Sequence, residues 1–262
     1  MSVYNTFAAH YEADFGGFTD DLPLYRELAG RAGGPLLELM CGTGRLLLPL
    51  AAEGYTLTGV DYAAAMLDMA RAKLAAAGLE QRVALLQADA READLPAGAF
   101  GLAFVALNSF THMLTVADQL ALLAVARRTL RPDGLLALDL SNPDPTRLLG
   151  ETGEPRLAGF YELDGRSVVK YVAYRNSPAE QITQVLFRYE ERDAAGEETV
   201  REVAYPTRWV YRYELEHLLV RAGFAPLAVY GGYDRRPYAD GCPQLIIVAK
   251  VSGDPPSPFD NA

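Results

Sequence analysis

The chain has 262 residues, half of them hydrophobic and 22% charged, and 24 Lys+Arg against 34 Asp+Glu give a net charge of −10. A chain of that length supports one large α/β domain or two small ones and buries roughly 70–75% of its unfolded surface, so it needs no disulfide or metal staple. The acidic balance is the wrong sign for a protein that lives on phosphate backbones, and no apolar run approaches the ~18 residues of a membrane span.

Two cysteines, Cys41 and Cys242, do not make a disulfide framework, and the first residues, MSVYNTFAAHYEADF, lack a basic segment followed by an apolar one. The expectation is a cytoplasmic protein without nucleic-acid or membrane partners. No metal-ligand spacing is present in two cysteines and three scattered histidines.

In chain order, Tyr4, Phe7, Ala8 and Tyr11 stand at helical spacing in a segment running to about Phe15. A second helix is expected from Asp20 or Asp21, acids suited to an N-cap, to about Arg31, and Gly33-Gly34-Pro35 ends it. Strands and helices then alternate: strand Leu36–Met40, helix Thr43–Glu53, strand Thr56–Val60, helix Ala63–Ala77, strand Arg82–Gln87, strand Phe100–Leu107, helix Val116–Leu130. Pro132-Asp133-Gly134 is expected to turn into a fifth strand, Leu135–Leu140. This alternation predicts a doubly wound parallel sheet.

After Asn142-Pro143-Asp144-Pro145 the pattern becomes two-periodic, as in Ser167–Tyr174 and Ile182–Tyr189, with a hairpin turn over residues 193–198 and a further strand through Thr199–Tyr205. The prediction is an antiparallel sheet of three or four strands. Helix Tyr213–Ala222, strand Leu227–Tyr230 and strand Gln244–Lys250 resume the α/β pattern, and residues 252–262 are expected to form a disordered tail. The expected units are an N-terminal helical lid (1–34), an α/β core (35–145 and 212–251), an antiparallel insertion (146–211) and the tail.

The organising stretch is Leu36-Leu37-Glu38-Leu39-Met40-Cys41-Gly42-Thr43-Gly44-Arg45, a strand, a glycine turn and the expected start of a helix. Such a junction offers free backbone N–H groups and a positive helix end to a ligand. The next strand ends in Asp61. Together these two landmarks describe a nucleoside site at the edge of a parallel sheet.

ELMCGTGR, Asp61, Gln87-Ala88-Asp89-Ala90 and Leu130-Arg131-Pro132-Asp133-Gly134-Leu135 resemble the successive motifs of class I S-adenosylmethionine-dependent methyltransferases, and YRYELEHLLVRAGF resembles their late helix. The resemblance implies a doubly wound, seven-stranded, mostly parallel sheet with a Rossmann-like fold, Gln244–Lys250 as its antiparallel strand, and a small antiparallel β insertion after strand five, where small-molecule N-methyltransferases often have one. It implies S-adenosylmethionine as cofactor, S-adenosylhomocysteine as product and a small-molecule methyl acceptor. Residue by residue, Glu38, Gly42 and Gly44 would hold the methionine end, with Arg45 near its carboxylate. Asp61 would take the ribose hydroxyls, Tyr62 and Met66 would line the adenine, and Asp89 and Ala90 would read its amino group. Asn108 would lie near the sulfonium and Tyr11 would close over the cofactor. Met40 departs from the small residue usual in the family and is expected to crowd the turn.

Among the histidines, His112 is the candidate catalytic residue, as base or substrate contact, because it follows strand four at the carboxyl edge of the sheet. His10 could face either way and His217 reads as structural. Trp209 is expected to help line the pocket, and Arg235 or Arg236 to meet an acidic substrate group or solvent. An amine acceptor is favoured by the insertion and His112, with O-methylation, cofactor binding without turnover and nicotinamide-dependent oxidation as alternatives in that order. The dinucleotide reading suffers because Leu47 stands where G-x-G-x-x-G wants its third glycine. The insertion is compatible with a lid and with a homodimer interface.

Overall fold

The computed structural model describes residues 3–252; the expected tail lies outside them except for Ser252. A 3-10 turn over Val3–Thr6 precedes α1 (Ala8–Phe15), and α2 (Leu22–Ala32) follows. The single helix expected from Tyr4 is thus split, because Phe7 (φ −141°, ψ 24°) leaves the helical region. Next come β1 (Leu36–Leu39), α3 (Leu47–Ala52), β2 (Leu57–Asp61), α4 (Ala64–Ala76), β3 (Val83–Gln87), β4 (Phe100–Val105), α5 (Val116–Thr129) and β5 (Leu130–Ser141). A short helix, α6 (Pro145–Gly150), leads to β6 (Arg156–Leu163), β7 (Arg166–Ser177), β8 (Ile182–Arg192) and β9 (Glu198–Arg208). The chain returns through α7 (Arg212–Arg221), β10 (Phe224–Tyr230) and β11 (Gln244–Val251).

Seven strands form one sheet in the order β10-β11-β5-β4-β1-β2-β3, with β11 antiparallel to both its neighbours and the remaining pairs parallel. Side chains alternate between its faces. Leu37, Leu39, Ala103 and Val105 pack with α5 and α7, while Leu36, Leu102 and Phe104 pack with α2, α3 and α4. A strand covered on both faces must be apolar throughout, which is why β4 reads FGLAFV.

Two local expectations are corrected. Pro132-Asp133-Gly134 does not precede the fifth strand but lies inside it: Leu130 already pairs with Phe100, and the register shifts before Leu135 pairs with Leu102. Helix α3 starts at Leu47 rather than Thr43, because Gly42 (φ +54°) and Gly44 (φ +75°) hold a left-handed turn that a helix cannot continue.

The insertion is an antiparallel meander, β6-β7-β8-β9, complete at four strands. Strand order reverses between β1 and β4, so the segments leaving their carboxyl ends, residues 40–46 and 106–113, flank a crevice. Helix α1 lies between that crevice and the meander. It is bound to the meander by Lys170 Nζ–Asp14 Oδ2 (2.6 Å) and His10 Nε2–Glu191 Oε1 (3.1 Å), and to α4 by Lys73 Nζ–Glu12 Oε1 (2.6 Å).

Candidate active site

The turn after β1 is held by the acid after β2. Asp61 accepts the Gly42 N–H on Oδ2 and the Ala63 N–H on Oδ1, both at 2.9 Å, so one carboxylate fixes the glycine turn and the start of α4. Burial raises its pKa while these backbone donors lower it. The Gly42 N–H is therefore already used, and with α3 beginning a turn later the junction does not present the helix end expected there. Leu47 closes the space a third glycine would open: a Cβ on Gly59 would fall 2.5 Å from Leu47 Cδ1.

Met40 precedes this turn with φ +61°, a conformation costing a residue with a Cβ about 1–2 kcal/mol. That cost supplies a reason for the family's small residue here. Met40 borders both a main cavity of about 370 Å³ and a smaller recess beside it.

Glu38, Thr43 and Arg45 border the recess. Glu38 is 4% exposed, its Oε2 has no hydrogen-bond partner, and burial pushes its pKa up to about 8. Thr43 Oγ1 is likewise buried without a partner. Arg45 also has protein partners: its guanidinium grips Asp21 through two 2.6 Å bonds and donates to the Phe18 carbonyl. Asp21 is fully buried and needs that counter-ion, so it neutralises Arg45 instead of capping α2.

The main cavity is bordered by Tyr11, Gly42, Asp61, Tyr62, Met66, Asn108, His112 and Trp209 from among the expected residues. Gly44, Asp89 and Ala90 do not border it. Gly44 packs against α4, where a Cβ would meet that of Ala70 at 3.1 Å. Asp89 is bonded to Arg91, which holds its pKa down and itself pairs with Asp118. Arg235 pairs with Glu27 and Arg236 with Asp234 at exposed positions. His217 is exposed on α7, and His10 is buried between Tyr161 and Glu191.

Tertiary contacts add Leu107, Asp139 and Tyr205, which sequence reasoning did not single out. Leu107 (φ +49°) and Asn108 (φ +65°) are consecutive left-handed residues at the end of β4. Buried Asp139 holds them: its carboxylate accepts the Leu107 N–H (3.1 Å) and the Tyr233 hydroxyl (3.0 Å), its carbonyl accepts the Asn108 N–H (3.0 Å), and Asn108 Oδ1 accepts the Ser141 N–H. Burial raises the Asp139 pKa to about 6. Beyond this loop, His112 Nε2 shares a 2.8 Å hydrogen bond with the Tyr4 hydroxyl, and its ring lies 5.4 Å from that of Tyr205 on β9. Burial pulls the His112 pKa down to about 4. Tyr4 also meets Tyr11 edge-on at 5.9 Å, so α1, the loop after β4 and the meander converge on one aromatic cluster.

The donor set suits a cofactor with cationic groups and a ribose. Two buried acids, Glu38 with an unused oxygen and Asp61 at the cavity wall, offer acceptors for an ammonium and for hydroxyls. Among the described residues, no group of His, Cys, Asp and Glu could hold a metal ion and no helix is long and apolar enough to cross a membrane.

Residues 36–134 match the family model of a methyltransferase domain. The chain is 32% identical over 107 residues to the putative methyltransferase YqeM of Bacillus subtilis, a match spanning 41% of this chain and 42% of that one. It is 25% identical to the cypemycin N-terminal methyltransferase of a Streptomyces species, over 86% of this chain and 84% of that one. Among solved structures, the CcbJ methyltransferase of Streptomyces caelestis superposes with a TM-score of 0.74 at 24% identity, covering 90% of each chain. With the ordered motifs, the seven-stranded topology and the acid-lined turn, these likenesses identify residues 36–134 as a methyltransferase domain and give the chain the Rossmann-like fold of S-adenosylmethionine-dependent methyltransferases, while the chain spans about half or less of the length of most of the curated relatives it matches.

Proposed function

We propose that this protein transfers a methyl group to an amine nitrogen of a small molecule. The observation that carries the reading is the cavity itself, which joins the turn after β1 and the Asp61 carboxylate to the inner face of the meander in one continuous space. When bound, S-adenosylmethionine supplies an already activated sulfonium methyl to an in-line nucleophile. Glu38 and Thr43 would then hold the methionine end, Asp61 the ribose, Tyr62 and Met66 the base, with Gly42 and Asn108 alongside and Tyr11 covering. Gly44 serves by letting the turn pack on α4, and Arg45 by fixing α2 to that turn. Asp89 and Ala90 remain candidates for the far side of the base.

The chain's own contribution is alignment and exclusion of water. Tyr4 and Tyr205 flank His112 with rings, so a basic amine there is held as the neutral, nucleophilic form by loss of hydration. With a pKa near 4 and Nε2 shared with Tyr4, His112 acts as a neutral hydrogen-bonding contact for the acceptor rather than as its base. The name of the cypemycin relative supports nitrogen as the target.

We extend the reading to a cytoplasmic enzyme acting on no nucleic acid, built from the lid, core and insertion delimited above. Exposed Leu157 and Phe160 on edge strand β6 offer the seam of a homodimer through the insertion. Calorimetric titration with S-adenosylmethionine, S-adenosylhomocysteine and NAD tests the cofactor. Micromolar binding of both sulfur compounds, lost in Asp61→Ala and absent for NAD, is expected. No heat with either from folded protein refutes the reading, and methyl transfer to alcohols but not amines in an acceptor screen refutes the nitrogen target.

A further inference from the structure

The segment leaving β4 is strained, and two residues carry the strain. Leu107 (φ +49°) and Asn108 (φ +65°) are consecutive non-glycine residues in the left-handed region, a conformation that persists only where the surroundings over-determine it. Both border the cavity, and Leu107 also borders the recess beside it. The 3-10 turn Ser109–His112 that follows brings Ser109, Thr111 and His112 to the same wall. Whatever holds Leu107 and Asn108 therefore aims the whole segment.

Asp139 on β5 holds them, and it depends on a donor from outside the site. It is 1% exposed, and its carboxylate accepts the Leu107 N–H (3.1 Å) and the Tyr233 hydroxyl (3.0 Å to Oδ2, 3.2 Å to Oδ1). A buried carboxylate stays ionised only as far as such donors replace its lost hydration. Tyr233 borders neither the cavity nor the recess; it lies in the loop 231–243 between β10 and β11. That loop is closed on itself: the Gly231 N–H donates to the Arg236 carbonyl (2.9 Å), and a Cβ on Gly231 would strike Cys242 Sγ. Arg235–Glu27 (2.7 Å) ties it to α2. The Tyr233 ring meets that of Phe18 edge-on at 5.8 Å, and the Phe18 carbonyl accepts from Arg45 beside the recess. Tyr233 is thus wedged behind two walls of the site, the turn after β4 and the segment before α2.

Resting on the methyltransferase reading, we propose that Tyr233 is a positioning residue for methyl transfer: its hydroxyl, through the Asp139 carboxylate, holds Leu107 and Asn108 in the left-handed turn that walls the cofactor's space. The groups facing Asp139 give the sign of a pH test. Burial raises its pKa to about 6 with help from Asp21, while the Leu107 N–H, the Tyr233 hydroxyl and Arg45 lower it, and Tyr25 of α2 faces it as a neutral phenol. Protonation replaces the charge-assisted bond to Leu107 by a neutral one of about half the strength. Deleting the Tyr233 hydroxyl moves that change to higher pH.

The test follows the carbon-13-labelled S-methyl resonance of S-adenosylmethionine held at saturation on full-length protein, between about pH 5.5 and 8.5. The expected result is a titration with its midpoint near pH 6 in wild type, no titration in Asp139→Asn, and a midpoint raised by about one to two pH units in Tyr233→Phe, the size of one hydrogen bond to a charged group. A residue that only supported the fold would lower stability without moving this midpoint. A wild-type resonance that does not titrate, or one that still titrates in Asp139→Asn, overturns the proposal even if Tyr233→Phe does not fold. A midpoint unmoved or lowered in Tyr233→Phe also overturns it, and each of these results leaves the cofactor reading intact. Failure of wild-type protein to bind S-adenosylmethionine overturns both.

Discussion

On the proposed assignment of Glu38 to the methionine end, cofactor binding should be coupled to a proton. Buried and with one oxygen unpartnered, the Glu38 carboxyl has a pKa near 8, so it is about nine-tenths protonated at pH 7. A cationic ammonium held against it favours the carboxylate and drives the proton off. Binding of S-adenosylhomocysteine at pH 7 should therefore release about 0.9 proton from this site, and affinity should rise about ten-fold per pH unit between pH 6 and 7 before levelling above pH 8. Calorimetry at pH 7 in buffers of different ionisation enthalpy measures the release directly as the slope of observed heat against buffer enthalpy. Glu38→Gln has no proton to lose and should abolish both the release and the pH slope. A wild-type release near zero, or a release unchanged in Glu38→Gln, would refute the assignment of Glu38 to the methionine end.

Asp61→Asn keeps one acceptor for the two N–H groups that the carboxylate now serves, and should destabilise by about 1.5–3 kcal/mol in urea melts while weakening S-adenosylhomocysteine. His112 and Asp139 act oppositely in one pH window. The folded pKa of His112 lies below its unfolded value, so stability is lost as pH falls from about 6.5 to about 4, by roughly 3 kcal/mol. The folded pKa of Asp139 lies above its unfolded value, so its contribution is complete below pH ~4 and is lost by about 3 kcal/mol as pH rises through 6. Between pH 4 and 6, stability should accordingly fall with rising pH in His112→Gln and rise more steeply than wild type in Asp139→Asn; parallel curves for the two variants would contradict this. At position 40 glycine should be more stable than alanine by about 1 kcal/mol in thermal melts, the reverse of the usual order, because φ there is +61°. Alanine equal to or better than glycine would remove the argument from backbone strain.

What the amino-acid sequence determined is the local and periodic part. Alternating strands and helices, the apolar text of β4 and the two-period text of the meander follow from which faces each segment must bury, and that requirement is written residue by residue. Asp61 was legible because its main hydrogen bonds go to the turn after the neighbouring strand and to its own helix start, both close to the motif. The start of α3 and the interior of β5 were misjudged because glycine φ values and strand pairing, rather than composition, decide where a ladder or a helix begins.

Tertiary structure alone decided which side chains share a space. Arg45 is bonded to Asp21, 24 residues away, because a buried carboxylate at the start of α2 needs a counter-ion. Nothing near Lys170 announces Asp14, nothing near His112 announces Tyr4, and nothing near Leu107 announces Asp139; each pair is made by packing one element on another. The proposed nucleoside end, built from one strand–turn–helix unit and its neighbour, lies in segments whose order could be read along the chain. The acceptor end, built where a helix from the amino terminus, a loop after β4 and three strands of the meander meet, could not, because its chemistry depends on cross-strand register and on contacts more than a hundred residues apart.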